Sequence, residues 1–174
     1  MDNKATTESA IEVEISDNQR FLDVDREALI GLVRRTLGHE KIEQASISLA
    51  LVDDATIHEV NRRHLEHDWP TDVITFPLSD PDEPVLAGEL VVSTEMAATT
   101  AKRAGVDPWA ELALYVVHGL LHLCGYDDHS AEDREAMRSR EDAILAGEGL
   151  TNTFPLIGLA ETDTPGREST RWPL

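Results

Sequence analysis

The sequence predicts an α+β fold, a single layered domain in which a small mixed four-stranded sheet packs with about five helices. Three observations lead to this prediction. Segments with the two-residue hydrophobic period of strands alternate with segments of helical period. No glycine-rich phosphate-binding loop joins them. The composition, 174 residues with 41% hydrophobic and 28% charged side chains, is that of one ordinary globular domain.

The first three predicted elements are a strand, a helix and a strand. Apolar and polar residues alternate over residues 11–15, as in a half-buried strand. From Asp25 the apolar residues recur at helical spacing, and Gly38 is the expected stop of this first helix. Residues 47–51 alternate again and predict the second strand.

A second helix and a third strand follow. Asp53 or Asp54 can accept backbone N–H bonds at the start of the helix, and Pro70 forces its end by about Asp68. Residues 73–76 predict a short strand, which the following proline ends.

The next segment begins with a loop and ends in a helix. Prolines and acidic residues predict a loop over residues 79–84. An apolar strand over residues 90–92 then leads into an alanine-rich helix over residues 94–104, with Gly105 as its stop.

The last two predicted helices have the clearest ends. Asp107 is the expected N-cap of a helix that ends at Gly125 and is apolar nearly all round, so it should be buried. Ser130 with Asp133 resembles a capping box at the start of a helix that ends at about residue 146.

The two termini lack a sustained period. We therefore expect a flexible N-terminus over residues 1–10, one domain over residues 11–150, and a C-terminal extension over residues 151–174 that is disordered or lies on the surface. A lone cysteine, Cys124, excludes an intramolecular disulfide, and the N-terminal segment lacks the features of a signal peptide. Both observations favour a cytoplasmic protein.

The charge balance restricts the possible partners. The formal net charge is −19, which argues against a protein that coats nucleic acid with a broad basic face but allows a local basic site. No apolar run approaches the roughly 18 residues that a membrane span requires. The sequence therefore predicts neither membrane insertion nor, without a phosphate loop, a nucleotide cofactor.

The pair His118 and His122 points to a metal ion. Residues four apart lie on one face of a helix, so both imidazoles can bind one cation. An unpartnered imidazole in an apolar helix would be costly, and Gly125 allows the chain to reverse and supply a third ligand. Zn²⁺ is the first choice for an imidazole-rich hydrolytic site, although other first-row metals fit the same residues.

Two residues compete for the third ligand position. In the zinc-peptidase signature HExxHxxGxxH, the last histidine falls ten residues after the first, which here is Asp128. We expect His129 to be the ligand, because a loop absorbs a one-residue shift and imidazole suits zinc. Asp128 is the rival ligand. Asp127 and Asp128 are otherwise candidates for orienting a ligand or for catalysis, and Asp127 could equally cap the next helix.

The segment HGLLHLCGYDDH at residues 118–129 resembles the HGxLHLxGYDH signature of the YbeY-type rRNA maturation factors, which are single-domain bacterial endoribonucleases that carry zinc. The resemblance covers most of residues 11–150. Less specific matches are Asn61 with PTDVITF at residues 70–76, GELVVS at residues 88–93, and Met137 with Glu141.

This resemblance implies a YbeY-like metal-dependent hydrolase domain with one Zn²⁺ held by three histidines, which correspond to His118, His122 and His129. It further implies an endoribonuclease that acts on single-stranded RNA in rRNA processing, notably at the 3′ end of the small-subunit rRNA, and in ribosome quality control. RNA and ribosomal components are the implied partners.

The sequence also departs from the family pattern. The extra Asp128 shifts the last histidine by one residue, and Glu89 replaces the usual aspartate. Leu65 stands where the family usually has an arginine that serves RNA contact or cleavage. Arg62, Arg63 and His64 on the same predicted helix are the candidates to replace it, unless they form only a solvated basic face.

Two other function classes remain open. A metallopeptidase would share the histidine spacing, but those enzymes carry a glutamate beside the first histidine, where this chain has Gly119. A zinc-containing ribosome assembly factor with little catalysis is favoured by the acidic charge and by Leu65.

Overall fold

The structure, a computed structural model, describes residues 10–153, which contain four strands and five helices. The strands are β1 (Ile11–Asp17), β2 (Ala45–Val52), β3 (Val73–Pro77) and β4 (Leu86–Ser93). The helices are α1 (Arg26–His39), α2 (Asp54–Leu65), α3 (Thr94–Ala104), α4 (Pro108–Leu123) and α5 (Ala131–Gly147). The predicted α+β class is confirmed. The expectations for the two termini fall mainly on residues 1–9 and 154–174, which lie outside the described residues.

The sheet is mixed, with strand order β1-β2-β4-β3. β1, β2 and β4 run parallel, and β3 pairs antiparallel with β4, with Thr75 opposite Leu90. β3 is therefore an edge strand.

The helices cover the two faces of the sheet unequally. α2 packs on one face, where Ile57 contacts a small cluster with Ile74 and Val91. α4 packs on the other face within the main core, and α1, α3 and α5 surround it. This position explains why α4 is apolar nearly all round, since sheet and helices enclose it on every side.

Two predicted helix ends were wrong. Gly38 lies inside α1, which continues to His39, and the chain reverses at Lys41 with φ 60°. α2 ends at Leu65, three residues before the predicted end, because Glu66 takes the left-handed conformation and its N–H bonds to the Asn61 carbonyl. Proline therefore does not set this boundary.

The predicted caps are confirmed by their hydrogen bonds. Asp53 accepts from the backbone of α2, and Asp107 accepts from the backbone of α4. Ser130 and Asp133 form the capping box of α5. Across residues 10–153, none of the helices combines the length and apolar character that crossing a membrane requires.

Candidate metal centre

His118 and His122 lie on the last turns of α4, and their side chains meet. The His118 side chain is 3% exposed and the His122 side chain is 15% exposed. Their Nε2 atoms are 2.9 Å apart. The helical spacing of four residues thus brings two imidazole nitrogens to one point, as the sequence predicts.

The outer nitrogen of each ring is held by an acceptor. His118 Nδ1 lies 2.6 Å from Glu141 Oε1, and His122 Nδ1 lies 3.0 Å from the Tyr126 carbonyl oxygen. A carbonyl oxygen only accepts, so the His122 Nδ1 atom must carry the proton. An ionised Glu141 carboxylate requires the same of His118. In the neutral rings, both Nε2 atoms therefore present lone pairs.

These facing lone pairs fit a cation. Two unprotonated ring nitrogens 2.9 Å apart repel each other unless a proton or a metal ion lies between them. Histidine ligands in metal sites usually donate their second ring N–H to a carboxylate or a carbonyl, and Glu141 and Tyr126 supply one of each. The donor set therefore suits a divalent ion such as Zn²⁺.

The third group near the two imidazoles is the carboxylate of Asp128. Asp128 Oδ2 lies 3.8 Å from His122 Nε2, and the ligand atoms of His118, His122 and Asp128 all fall within 4.8 Å of one another. His129 belongs to a different group, with Asp127 and Asp128. The structure therefore brings the rival candidate, and not the preferred one, to the helix histidines.

The loop after α4 explains this choice. Gly125 has φ 98°, a left-handed conformation that reverses the chain back toward the helix. The Asp128 side chain is 6% exposed, whereas the His129 side chain is 62% exposed. Arg134 on α5 donates to the carbonyls of Asp128 and His129, at 3.1 and 2.9 Å, and fixes this part of the loop.

His129 instead forms an exposed ion pair with Asp127. The hydrogen bond between His129 Nδ1 and Asp127 Oδ1 raises the pKa of the imidazole and lowers the pKa of the carboxyl. Asp127 also accepts from the Asp128 N–H at 2.7 Å. Asp127 thus orders the loop, while Ser130 caps the next helix.

Arg62 and Arg63 lie on α2, the helix that packs on the opposite face of the sheet from α4. Both side chains are mostly exposed, and both bond to Glu59, with closest distances of 2.8 and 2.6 Å. This pairing neutralises part of their charge. Leu65 packs against the small core cluster under α2.

Two supporting residues escaped the analysis of the sequence. The sequence marks Glu141 only by its match to the last helix of the family, although a carboxylate on the buried face of an amphipathic helix indicates a buried partner. Arg134 donates to two carbonyls of the preceding loop, and no sequence pattern reveals this. Burial raises the pKa of the Cys124 thiol to about 12, so this cysteine is not a nucleophile at neutral pH.

Comparison with known proteins gives one consistent family. The model of the family described as endoribonuclease YbeY matches residues 14–149. The chain is 38% identical to an endoribonuclease YbeY of Carboxydothermus hydrogenoformans, over 79% of this chain and 97% of that protein. It is 47% identical to an endoribonuclease YbeY of Rhodopirellula baltica, a match that covers 61% of this chain and 55% of that longer protein.

A solved structure shares the fold. The solution structure of a Thermotoga maritima protein superposes with a TM-score of 0.54 at 24% identity and covers 90% of this chain and 99% of that one. At this level of identity the likeness concerns the fold alone.

Proposed function

The chain belongs to the endoribonuclease YbeY family, whose named members are RNA-cutting hydrolases, and we propose that it is a zinc-dependent endoribonuclease for single-stranded RNA. Its proposed role is rRNA processing in the cytoplasm, including maturation of the 3′ end of the small-subunit rRNA, and ribosome quality control. RNA and ribosomal components are the proposed partners.

The observation that carries this proposal is the pair of facing Nε2 atoms at the end of α4, with a carboxylate beside them. We propose one zinc ion per chain, with His118 and His122 as two of its ligands. The position of the Asp128 carboxylate supports Asp128 as the third, so we now favour it over the sequence-based choice, His129. Three protein ligands leave a position for substrate or water.

The residues around this centre have distinct tasks. Glu141 and the Tyr126 carbonyl hold the Nδ1 protons and keep both Nε2 atoms free to bind. When bound, the cation supplies Lewis acidity for the attack of water on a phosphodiester. A general base works best with a pKa near the operating pH, so the lowered pKa of Asp127 argues against that role.

We propose that RNA contacts Arg62 and Arg63, which lie exposed on α2, the helix that packs on β3 and β4. Phosphate must compete with Glu59 for both guanidinium groups. Binding through a few such cations is compatible with the acidic charge of the whole chain.

The structure argues against a metallopeptidase, because the position of Gly119 has no space for the glutamate that serves those enzymes as general base. A Cβ at Gly119 would lie 2.6 Å from Leu90 Cδ2 and 3.1 Å from Thr75 Oγ1. A glutamate beside the first histidine would therefore collide with the sheet. The assembly-factor alternative keeps one supporting observation, since Leu65 is engaged in packing where the family usually has an arginine.

The test combines metal analysis with RNA cleavage. Protein purified without chelator or His tag should contain about one zinc per chain and cleave single-stranded RNA, and the His118→Ala variant should lose both properties. Zinc without cleavage would favour the assembly factor, and a metal-free wild-type protein would refute the metal centre.

A matched pair of variants identifies the third ligand. Asp128→Ala should release zinc, whereas His129→Ala should retain it. Retention by Asp128→Ala together with release by His129→Ala would restore the sequence-based choice.

A further inference from the structure

The hydrogen bonds around the two histidines lead outward to one side chain, Glu40. Glu40 directly follows α1, and its side chain is 10% exposed. Its Oε2 accepts from the Tyr126 hydroxyl at 3.1 Å, and its Oε1 accepts from Arg140 Nε. One nearly buried carboxylate thus joins three parts of the molecule: the end of α1, the loop after α4, and α5.

Each partner of Glu40 is connected to one of the histidines. The Tyr126 carbonyl accepts from His122 Nδ1, so the residue that Glu40 holds by its hydroxyl also fixes the second imidazole. Arg140 is the residue before Glu141, whose carboxylate holds His118 Nδ1 at 2.6 Å. The two branches from Glu40 therefore end at the two nitrogen ligands.

We propose that Glu40 is a positioning residue for the metal centre. Glu40 acts through Tyr126 on His122, and through Arg140 and α5 on His118. This inference rests on the proposed metal centre. Partners one step behind metal ligands orient the rings, and their loss lowers metal affinity even when the ligands themselves remain.

The surroundings of Glu40 favour this role over that of a surface ion pair. Exposed pairs contribute little because water competes for both charges. Here both carboxylate oxygens are used, and Arg140 donates a second bond, from Nη2 to the His39 carbonyl at 2.9 Å. The arginine is therefore fixed at two points.

The chain offers a matched control that joins nearly the same elements. Glu148 directly follows α5. Arg35 on α1 forms an ion pair with Glu148 through two hydrogen bonds of 2.6 and 2.7 Å. Glu148 lies seven residues beyond Glu141, about two helical turns from the site. Glu148→Gln therefore weakens a link between α1 and α5 without touching the partners of the histidines.

The experiment measures zinc affinity by chelator competition and the visible absorption of the Co²⁺-loaded protein. We expect Glu40→Gln and Tyr126→Phe each to weaken zinc binding by about tenfold and to change the Co²⁺ bands. Glu148→Gln should match the wild type in both measurements. The double variant Glu40→Gln, Tyr126→Phe should lose less zinc affinity than the two single losses combined, because both changes remove the same hydrogen bond between Glu40 and Tyr126.

Three outcomes would overturn the inference. Wild-type zinc affinity and Co²⁺ bands in both Glu40→Gln and Tyr126→Phe would show that Glu40 does not position the ligands. Equal losses in Glu40→Gln and Glu148→Gln would show a general effect of α1–α5 packing. A wild-type protein that binds no zinc would refute the proposed metal centre as well, whereas the first two outcomes, with zinc lost in His118→Ala, would refute this inference alone. Tyr126→Phe decides the matter if Glu40→Gln does not fold.

Discussion

At the scale of single residues, Glu141 determines how His118 can bind a metal. Its carboxylate is buried and accepts from the ring Nδ1, which leaves Nε2 free. A Glu141→Gln variant keeps the size but loses the charge that strengthens this bond. We expect a loss of 10- to 100-fold in zinc affinity, roughly the range for such partners.

Chelator competition measures this loss, and Glu135→Gln, an exposed change on the same helix, is the control. Unchanged affinity in Glu141→Gln would mean that the carboxylate does not orient the ligand.

Gly119 and Gly38 give opposite predictions for the same substitution. A Cβ at Gly119 would meet Leu90 Cδ2 at 2.6 Å, whereas a Cβ at Gly38 meets no atom within 4 Å. Gly119→Ala should therefore lower the free energy of unfolding by about 1–3 kcal/mol through overpacking. Gly38→Ala should raise it by up to about 1 kcal/mol, since alanine favours helix.

Urea denaturation of both variants measures these changes. An unchanged free energy of unfolding in Gly119→Ala, relative to the wild type, would show that α4 can move away from the sheet.

At the scale of elements, the start of α2 predicts two opposite pH dependences. The Thr56 side chain donates a hydrogen bond to the Asp53 carboxylate, and the Thr56 N–H donates another to Oδ1 at 2.8 Å; both lower the pKa of Asp53 below its ordinary 3.8. The ionised form is thus favoured in the folded state. Its stabilising contribution is complete above pH 3.8 and is lost as the pH falls through the lowered pKa.

The neighbouring Asp54 has the opposite shift, because burial raises its pKa above 3.8 despite the hydrogen bond from Ser93. The charge of Asp54 therefore destabilises the fold as the pH rises through its raised pKa. The free-energy advantage of the wild type over Asp53→Asn should grow with pH below 3.8. The free-energy advantage of the wild type over Asp54→Asn should shrink as the pH rises above 3.8. Urea titrations across this range measure both, and parallel curves would contradict the assigned environments.

At the scale of the whole molecule, the net charge of −19 repels the phosphates of RNA and so opposes RNA binding. Binding must then depend on a few local cations, and contact with two or three phosphates of single-stranded RNA predicts a slope of about −1.4 to −2.1 in log affinity against log salt. The Arg62→Ala, Arg63→Ala double variant should bind RNA more weakly, with a shallower slope, and should keep its zinc. Because Glu59 holds both arginines, Glu59→Gln should strengthen RNA binding.

Fluorescence anisotropy with single-stranded RNA at several salt concentrations tests this prediction. An unchanged affinity and slope in the double variant would identify the two arginines as a solvated helix face.

The sequence by itself determined the local features of this protein. Hydrophobic periods located the four strands and five helices that the structure describes between residues 10 and 153, since they report which face of each element is buried. The capping residues Asp53 and Ser130 could be predicted from the sequence because a cap bonds to a backbone N–H two or three residues away. The pair His118 and His122 was readable for the same reason, as helix geometry alone brings residues four apart together.

Only the tertiary structure decided which distant groups join that pair. The loop after α4 turns the Asp128 carboxylate inward and leaves His129 outside, a choice that depends on backbone conformation at Gly125. Glu141 reaches His118 across 23 positions of the chain, and Glu40 reaches Tyr126 across 86. Contacts at such separations arise from the packing of α1 and α5 against α4, which no local period encodes.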